Sequence, residues 1–412
     1  MSDKKNSLIS RRDFLKKIVK IVGVTLVGSS ISFESCLFSS SSDPDEDPDK
    51  DPENPQLPGR VVHTYSSNAT DWDFGTDYYG RHVNQSVVDD MVELGLMSLT
   101  GTSSITDAWK ALIPDYSPGK AIAIKVNLNS GEDNDCETGC SDGELRIDAL
   151  MQPVNSVIKG LKQIDVREQD IWIYDASRRI SARFISRCLY PYVEFYDPGH
   201  WLCKKAEFQS SDPSAQVTFI PPENIEVPPQ HKITDVVINA SYLINIPIIK
   251  KHGVGVTLSF KNHFGSIFGV DHFCIALHPW VYPSMANYSS EYNPLVDIYT
   301  NPHIRNKTIL TIGDGLFGNW ESNMMKPQPW SIFGNNASNS LFFSTDPVSI
   351  DCVMTDFLYA ENLIQNSYWV PTADEYLVLA AEAGLGVFER GDPMIEPYGS
   401  GYSNIHYVRE NI

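Results

Sequence analysis

The chain has 412 residues, with 32 Lys and Arg against 52 Asp and Glu, for a formal charge of -20. So acidic a surface repels a phosphate backbone instead of neutralising it, which excludes nucleic acid as a natural partner. At 42% hydrophobic and 11% aromatic residues, there is apolar surface enough for a large core, in one big domain or two.

At the start of the chain, Ser10-Arg11-Arg12-Asp13-Phe14-Leu15-Lys16 precedes an apolar run from Ile18 to Val27, interrupted by Lys20 and Gly23. That run falls short of the about twenty apolar residues a membrane span needs, and small residues follow it. Twin arginines ahead of such a run resemble the signal read by the twin-arginine export machinery, which carries folded proteins. Residues 1–35 are therefore expected to be an export signal, and the periplasm or outer cell envelope the destination. Their loss removes seven Lys/Arg and three Asp/Glu and moves the charge to about -24.

Cys36 follows Phe33-Glu34-Ser35. A lipoprotein box carries a branched aliphatic residue three before its cysteine, and Phe33 and Glu34 depart from that pattern. Beyond Cys36 comes an acidic strip, Asp43 to Glu53, with Pro44, Pro48 and Pro52 at regular intervals. Prolines block helix and like charges repel, so residues 36–58 read as an extended, solvated tether. Lipid on Cys36 would be the one attachment to a membrane; an ordinary linker without an anchor is the alternative.

Six cysteines remain: Cys136, Cys140, Cys188, Cys203, Cys274 and Cys352. None stands in the closely spaced runs that hold iron–sulfur clusters, so no such cluster is expected. Cys136 and Cys140, four apart in a polar loop, suit a disulfide outside the cytoplasm. Asp133, Asp135, Glu137 and Glu144 around them imitate a calcium loop, but the glycine falls one place late, at Gly139. The strip reads better as an acidic surface loop. Cys352 lies in an apolar run and reads as a buried thiol.

The body, 59–412, opens with a strand at Arg60–Tyr65. Helical spacing follows at Ser86 to Gly95, and a short helix opens at Asp107. Then strands recur that end in polar residues. Ala121–Val126 ends at Asn127, Asp170–Tyr174 at Asp175, and Asp235–Ile238 at Asn239. Thr308–Ile312 ends at Asp314, and Leu341–Ser344 at Asp346. Helical stretches at Ala149 to Leu161 and Pro347 to Leu358 lie between them. This alternation predicts an α/β fold: a mixed, largely parallel sheet with helices on both faces. Ligands in such folds sit beyond the carboxyl ends of the strands, so a cleft there is expected to gather Asn127, Asp175, Asn239, Asp314 and Asp346. Each has a plainer reading too. Asp346 before Pro347 looks like a helix cap, Asp314-Gly315 like turn chemistry, and Asp175 like the cap of a helix near Ser177.

The densest polar stretch is Asn245-Ile246-Pro247-Ile248-Ile249-Lys250-Lys251-His252, leading into Thr257-Leu258-Ser259-Phe260-Lys261-Asn262-His263-Phe264-Gly265. It resembles the signature of the domain of unknown function 362 family. Ala123–Asn127, Gly313–Gly315, Ser344–Asp351 and Ala380–Gly386 resemble further parts of that family's pattern, from about Gly59 to the C-terminus. The resemblance implies an α/β domain without an established reaction. Many members carry appended ferredoxin-like cysteine motifs, which this chain lacks.

Chemically, Lys251, His252 and Lys261 would place positive charge in a negative protein, with Asn262 as an orienting amide. That suits a small anionic molecule such as a carboxylate or phosphate. Lys251, His252 and Lys261 are the candidate catalytic residues: an imidazole as general acid or base, a desolvated lysine as base or nucleophile. Asn127, Asp175, Asn262, His263, His278, Asp314 and Asp346 are the candidate ligand-binding residues. Structural pairing of Lys251 and Lys261 with the strand-end aspartates is the competing account. A divalent metal on His252, His263, His272, His278, Asp271 and Asp314 is another, although no HExxH-like pair supports it. Three function classes stay open: an enzyme, a non-catalytic surface protein that binds a ligand or metal, and a purely structural surface protein.

Overall fold

The computed structural model describes residues 58–128, 145–269, 274–323, 325–370 and 372–412. The twin arginines, Cys36, the acidic tether, the Asp133 to Glu144 strip with Cys136 and Cys140, and Asp271 and His272 lie outside the described residues. Among the described residues, no helix is long and apolar enough to cross a membrane.

Thirteen strands form the framework among these residues. They are β1 (Arg60–Tyr65), β2 (Ile122–Val126), β3 (Ile171–Tyr174), β4 (Glu194–Asp197), β5 (Lys204–Lys205), β6 (His231–Ile233) and β7 (Tyr242–Ile246). There follow β8 (Ile248–His252), β9 (Gly255–Thr257), β10 (Ile267–Gly269), β11 (Thr308–Asn319), β12 (Ser340–Ser344) and β13 (His406–Asn411). Eleven of them make one sheet, ordered β13-β1-β12-β11-β7-β2-β3-β4-β5, with β8 and β9 branching from β11; β6 and β10 pair separately. From β5 to β11 every neighbour is parallel, and β12 alone runs antiparallel between β11 and β1. The α/β fold with a mixed, mostly parallel sheet is the one expected from the sequence.

Both faces of this sheet are covered, which is why its strands read as unbroken apolar runs. Alternate side chains feed two cores. Val62, Ile122, Ile124, Ile244 and Ile246 pack with Val88, Met91, Val154 and Val157 of helices Gln85–Thr100 and Met151–Lys162. Val61, Ala123, Leu243 and Phe342 pack with Leu295, Ile298, Val353 and Phe357 of helices Pro294–Thr300 and Pro347–Ile364. Each fully buried aliphatic side chain contributes about 1.5–3 kcal/mol. Cys352 sits fully buried in the second core, as expected.

Two strand readings are corrected. Asp235–Asn239 is a short helix, not a strand, because the Thr234 hydroxyl accepts the Val236 amide and starts a helical turn. The strand follows it, as β7. Asn239 is exposed at the opposite edge of the sheet, since Ser241 and Tyr242 bond to Ala121 at the start of β2. Nor does β11 stop at Gly313. It continues to Asn319, with Asp314 inside the strand, its amide donating to the Pro247 carbonyl at 2.7 Å.

Candidate functional site

Five short segments converge beyond the carboxyl ends of β2, β3 and β7. Alternation along β2 turns Lys125 and Asn127 to the same side. Lys125 pairs in register with Asn245 of β7 on one side and Tyr174 of β3 on the other. Asp175 follows Tyr174 directly. Pro247 ends β7, having no amide for the ladder, and the chain resumes as β8. There Lys250 and His252 share one face, and Lys251 takes the other. After the β9 return, the short helix Ser259–Asn262 is docked by Asp351, whose carboxyl accepts the Ser259 amide at 2.9 Å, the Phe260 amide at 3.4 Å and the Tyr376 hydroxyl at 3.0 Å. Burial pushes Asp351 up to about 7 in spite of these donors.

The inner part of the site is a closed polar network. Lys125 Nζ donates to Asp175 Oδ2 at 2.9 Å and to Asn262 Oδ1 at 3.2 Å, with both ionic partners almost fully buried. Asn127 Nδ2 donates to the same Asn262 Oδ1 at 3.2 Å, and Asn262 Nδ2 donates to Asn245 Oδ1 at 2.7 Å. Lys250 Nζ donates to Asn127 Oδ1 at 2.8 Å and to the Ile147 carbonyl at 3.3 Å. Asp175 Oδ1 accepts from the Ser177 amide and hydroxyl and the Arg178 amide, so this carboxylate both pairs with a lysine and caps the loop behind it.

Electrostatics follow from that burial. Lys250 is wholly inaccessible, and desolvation brings it down to about 8, opposed chiefly by Asp148, with Asp175 and Asp314 also acting. Asp314 is lifted by desolvation to about 7, although the Leu316 and Leu150 amides and Lys250 favour its charged form. Desolvation thus pulls both groups at the heart of the sheet edge toward their neutral forms.

An outer part lies nearer solvent. Lys261 sits over the Phe264 ring at 3.9 Å. The His252 ring lies 6.4 Å from that of His278 and 6.1 Å from that of Tyr282, and the His278 and Tyr282 rings are 5.0 Å apart. Burial, then Lys261, His278 and Lys250 hold His252 well below the usual histidine range. Burial, then Lys261 and Arg178 lower His278 to about 4. Both imidazoles are therefore neutral at pH 7, in a field set by three cations. A neutral imidazole nitrogen there has the lone pair that metal ligation or proton acceptance requires.

Not every expected residue is here. Lys251 points away, donating to Asn362 Oδ1 at 3.0 Å and to the Tyr368 carbonyl beyond helix Pro347–Ile364, so its role is to tie that helix end to β8. His263 is a core histidine: Nδ1 meets Ser266 Oγ at 3.0 Å, its ring packs edge-on against Tyr299, and burial lowers it to about 3. Asp346 lies at the opposite edge because β12 runs antiparallel. Its carboxyl accepts the Val348 and Ser349 amides as a helix cap, and those of Gly59 and Val387 as well. Conversely Lys125, Lys250, Asn245, Asp148 and Arg178 were not singled out from the sequence. Alternation along β8 was the available signal, since it puts Lys250, and not Lys251, beside His252.

These features define an α/β protein with a lysine-, histidine- and carboxylate-lined site at the carboxyl edge of a parallel sheet. Residues 201–356 match the family model of a domain of unknown function, DUF362. No curated protein matches the chain. The matched span holds β7, β8 and helix Ser259–Asn262 but leaves out Lys125, Asn127 and Asp175. It is thus narrower than the resemblance read from about Gly59 onward.

Proposed function

We propose that the outer part of the site binds a small anionic molecule, a carboxylate or phosphate, between Lys261, Arg178, His252 and His278. The observation that carries this reading is the clustering of Lys261 over the Phe264 ring, itself 6.0 Å from the His278 ring, with His252 6.4 Å from His278, in a chain of charge -20; Lys261 and Arg178 accordingly lower His278, and Lys261 and Lys250 lower His252. An anion there would be drawn by Lys261, held over the Phe264 ring, and by Arg178, where partial burial weakens screening. It would also favour imidazolium. Proton uptake should then accompany binding, and affinity should strengthen as pH falls from the bound histidine value toward about 4.

The check is a histidine-ring NMR titration with inorganic phosphate and with malonate. His278 is expected to move upward and saturably, and Lys261→Met or Arg178→Met to weaken the shift about tenfold or more, the size of one lost charge-assisted contact. Rings that do not respond to either anion would remove the reading. So would undiminished binding in folded variants of both cations.

A catalytic form of this reading is favoured by Lys250. Desolvation lowers it to about 8, which favours the neutral amine a general base or a nucleophile requires, although in this structure its Nζ is buried against Asn127 and the Ile147 carbonyl. Product formation from small carboxylates, followed by mass spectrometry, separates an enzyme from a carrier. Export is a further part of the proposal and is supported by the Arg11-Arg12 pattern and Cys36 alone. Changing both arginines to lysine is expected to hold the chain in the cytoplasm, and Cys36→Ala to release it from membranes into the soluble fraction. Unaltered fractionation in both variants would remove signal and anchor together.

A further inference from the structure

A second group of side chains, apart from the strand-end network, has the chemistry of a ligand set. β4 ends at Asp197, and the loop after it reverses at Gly199, whose φ of +134° is favoured by glycine. The reversal brings a carboxylate oxygen of Asp197, a ring nitrogen of His200 and the Cys203 sulfur within 4.8 Å of one another. Among the described residues, no other three His, Cys, Asp or Glu side chains converge this closely. His252, His263, His278 and Asp314, considered from the sequence, form no such group.

The carboxylate is fixed independently of any ion. Asp197 is fully buried, its Oδ1 accepts the Gly199 and His200 amides, each at 2.7 Å, and its Oδ2 accepts the Ile180 amide at 3.0 Å. Backbone donors that orient a ligating carboxylate in this way are a regular feature of metal sites. His200 and Cys203 are only partly buried, with Cys203 packed against the edge of the first core. In a tetrahedral zinc site, bonds of about 2.0–2.3 Å put ligand atoms roughly 3.3–3.8 Å apart, so side-chain rotation has about 1 Å to close.

We propose that Asp197, His200 and Cys203 bind a zinc-type transition-metal ion through one oxygen, one nitrogen and one sulfur. A thiolate ligand selects zinc or a similarly soft ion over magnesium and calcium, which take oxygen donors. Three protein ligands leave a fourth position for water or a small molecule, the pattern of catalytic zinc and not of closed structural sites. Pro198 of this loop, Lys205 of β5 and Ala206 just after it line a neighbouring cavity of about 470 Å³, completed by Phe208, Lys232 and Phe268 among others. That volume suits a small ligand. The site shares the Asp175–Ile180 loop with the strand-end network, since Asp175 caps one end of that loop and Asp197 holds Ile180 at the other.

The full chain, stripped with a chelator and titrated with cobalt(II) chloride, supplies the test. Expected is a thiolate-to-cobalt charge-transfer band that saturates at one ion per chain, which zinc chloride then displaces. Cys203→Ser should abolish the band, and His200→Ala should weaken cobalt binding by about tenfold or more. His200→Gln, closer in size, is read in parallel, with circular dichroism reporting the fold. A purely structural Asp197 that only holds its loop predicts no band in the native chain. That result overturns the proposal, as does a band of unchanged strength in folded Cys203→Ser.

Discussion

Replacing Lys125 by methionine is expected to lower the unfolding free energy by about 3–5 kcal/mol, the cost of removing one member of a buried ion pair. Methionine fills much the same volume, so little of this loss is packing. What remains is the Asp175 carboxylate, almost fully buried, whose Oδ2 has lost its lysine while Oδ1 keeps the Ser177 and Arg178 donors. Desolvation then goes uncompensated, or the carboxyl takes up a proton and gives up its charge. Asn262 loses one of two donors to its oxygen and keeps Asn127. Urea unfolding should show the midpoint moving with an unchanged slope. Asp175→Asn should be milder, because the amide oxygen can still accept. In the double variant the losses should fail to add by about 1 kcal/mol or more, as for residues in one network. A loss below about 1 kcal/mol in Lys125→Met would show that this pair is not what holds the site together.

The sheet was legible from the sequence because it is buried on both faces. Ala121–Val126 and Thr308–Ile312 carry no polar alternation to obscure them, and the polar residues at their ends mark where burial stops. The Asp235–Ile238 run failed for the reason that short apolar runs fail generally: four residues do not distinguish a period of 2 from one of 3.6. Thr234 as a cap was the local signal that decided it. Asp346 failed differently. Its capping role was readable from Pro347, but its edge was not, because β12 turns back antiparallel on β11 and fills the place beside β1, which is far away in the chain.

Within the site, residues next to one another in the motif are separated in space. Lys250, Lys251 and His252 look like one cluster in sequence, yet the pleat sends Lys251 to helix Pro347–Ile364 and leaves its neighbours facing Asn127 and His278. Likewise Lys261 and Asn262, adjacent on a helical turn, serve the outer and the inner part respectively. Lys125 could not be valued from the sequence, because a single lysine in an apolar strand acquires meaning only from Asp175, just past the end of the adjacent strand.

The last residue of the motif makes the strongest claim about packing. Gly265 is expected to tolerate no side chain, and Gly265→Ala to destabilise by about 3–5 kcal/mol, combining overpacking with damage to a buried ion pair. A β-carbon there would lie 2.5 Å from both Lys125 Cε and Lys125 Nζ, and 2.7 Å from Asp175 Oδ1. Neither partner has anywhere to retreat. Lys125 is held in the network, and Asp175 is held by its loop donors. The Gly265 carbonyl, moreover, accepts the Ala176 amide at 2.7 Å, which ties the two loops together and prevents the backbone from backing away. The glycine is therefore demanded by the closeness of chain and ion pair, not by an unusual φ. This makes a sharper expectation than loss of stability alone. If the methyl group acts by displacing Lys125, then Gly265→Ala should cost much less in a Lys125→Met background, where a neutral and more pliable side chain faces it. Equal losses in both backgrounds would mean that the strain falls on the backbone instead, and the motif glycine would then belong to the turn and not to the site.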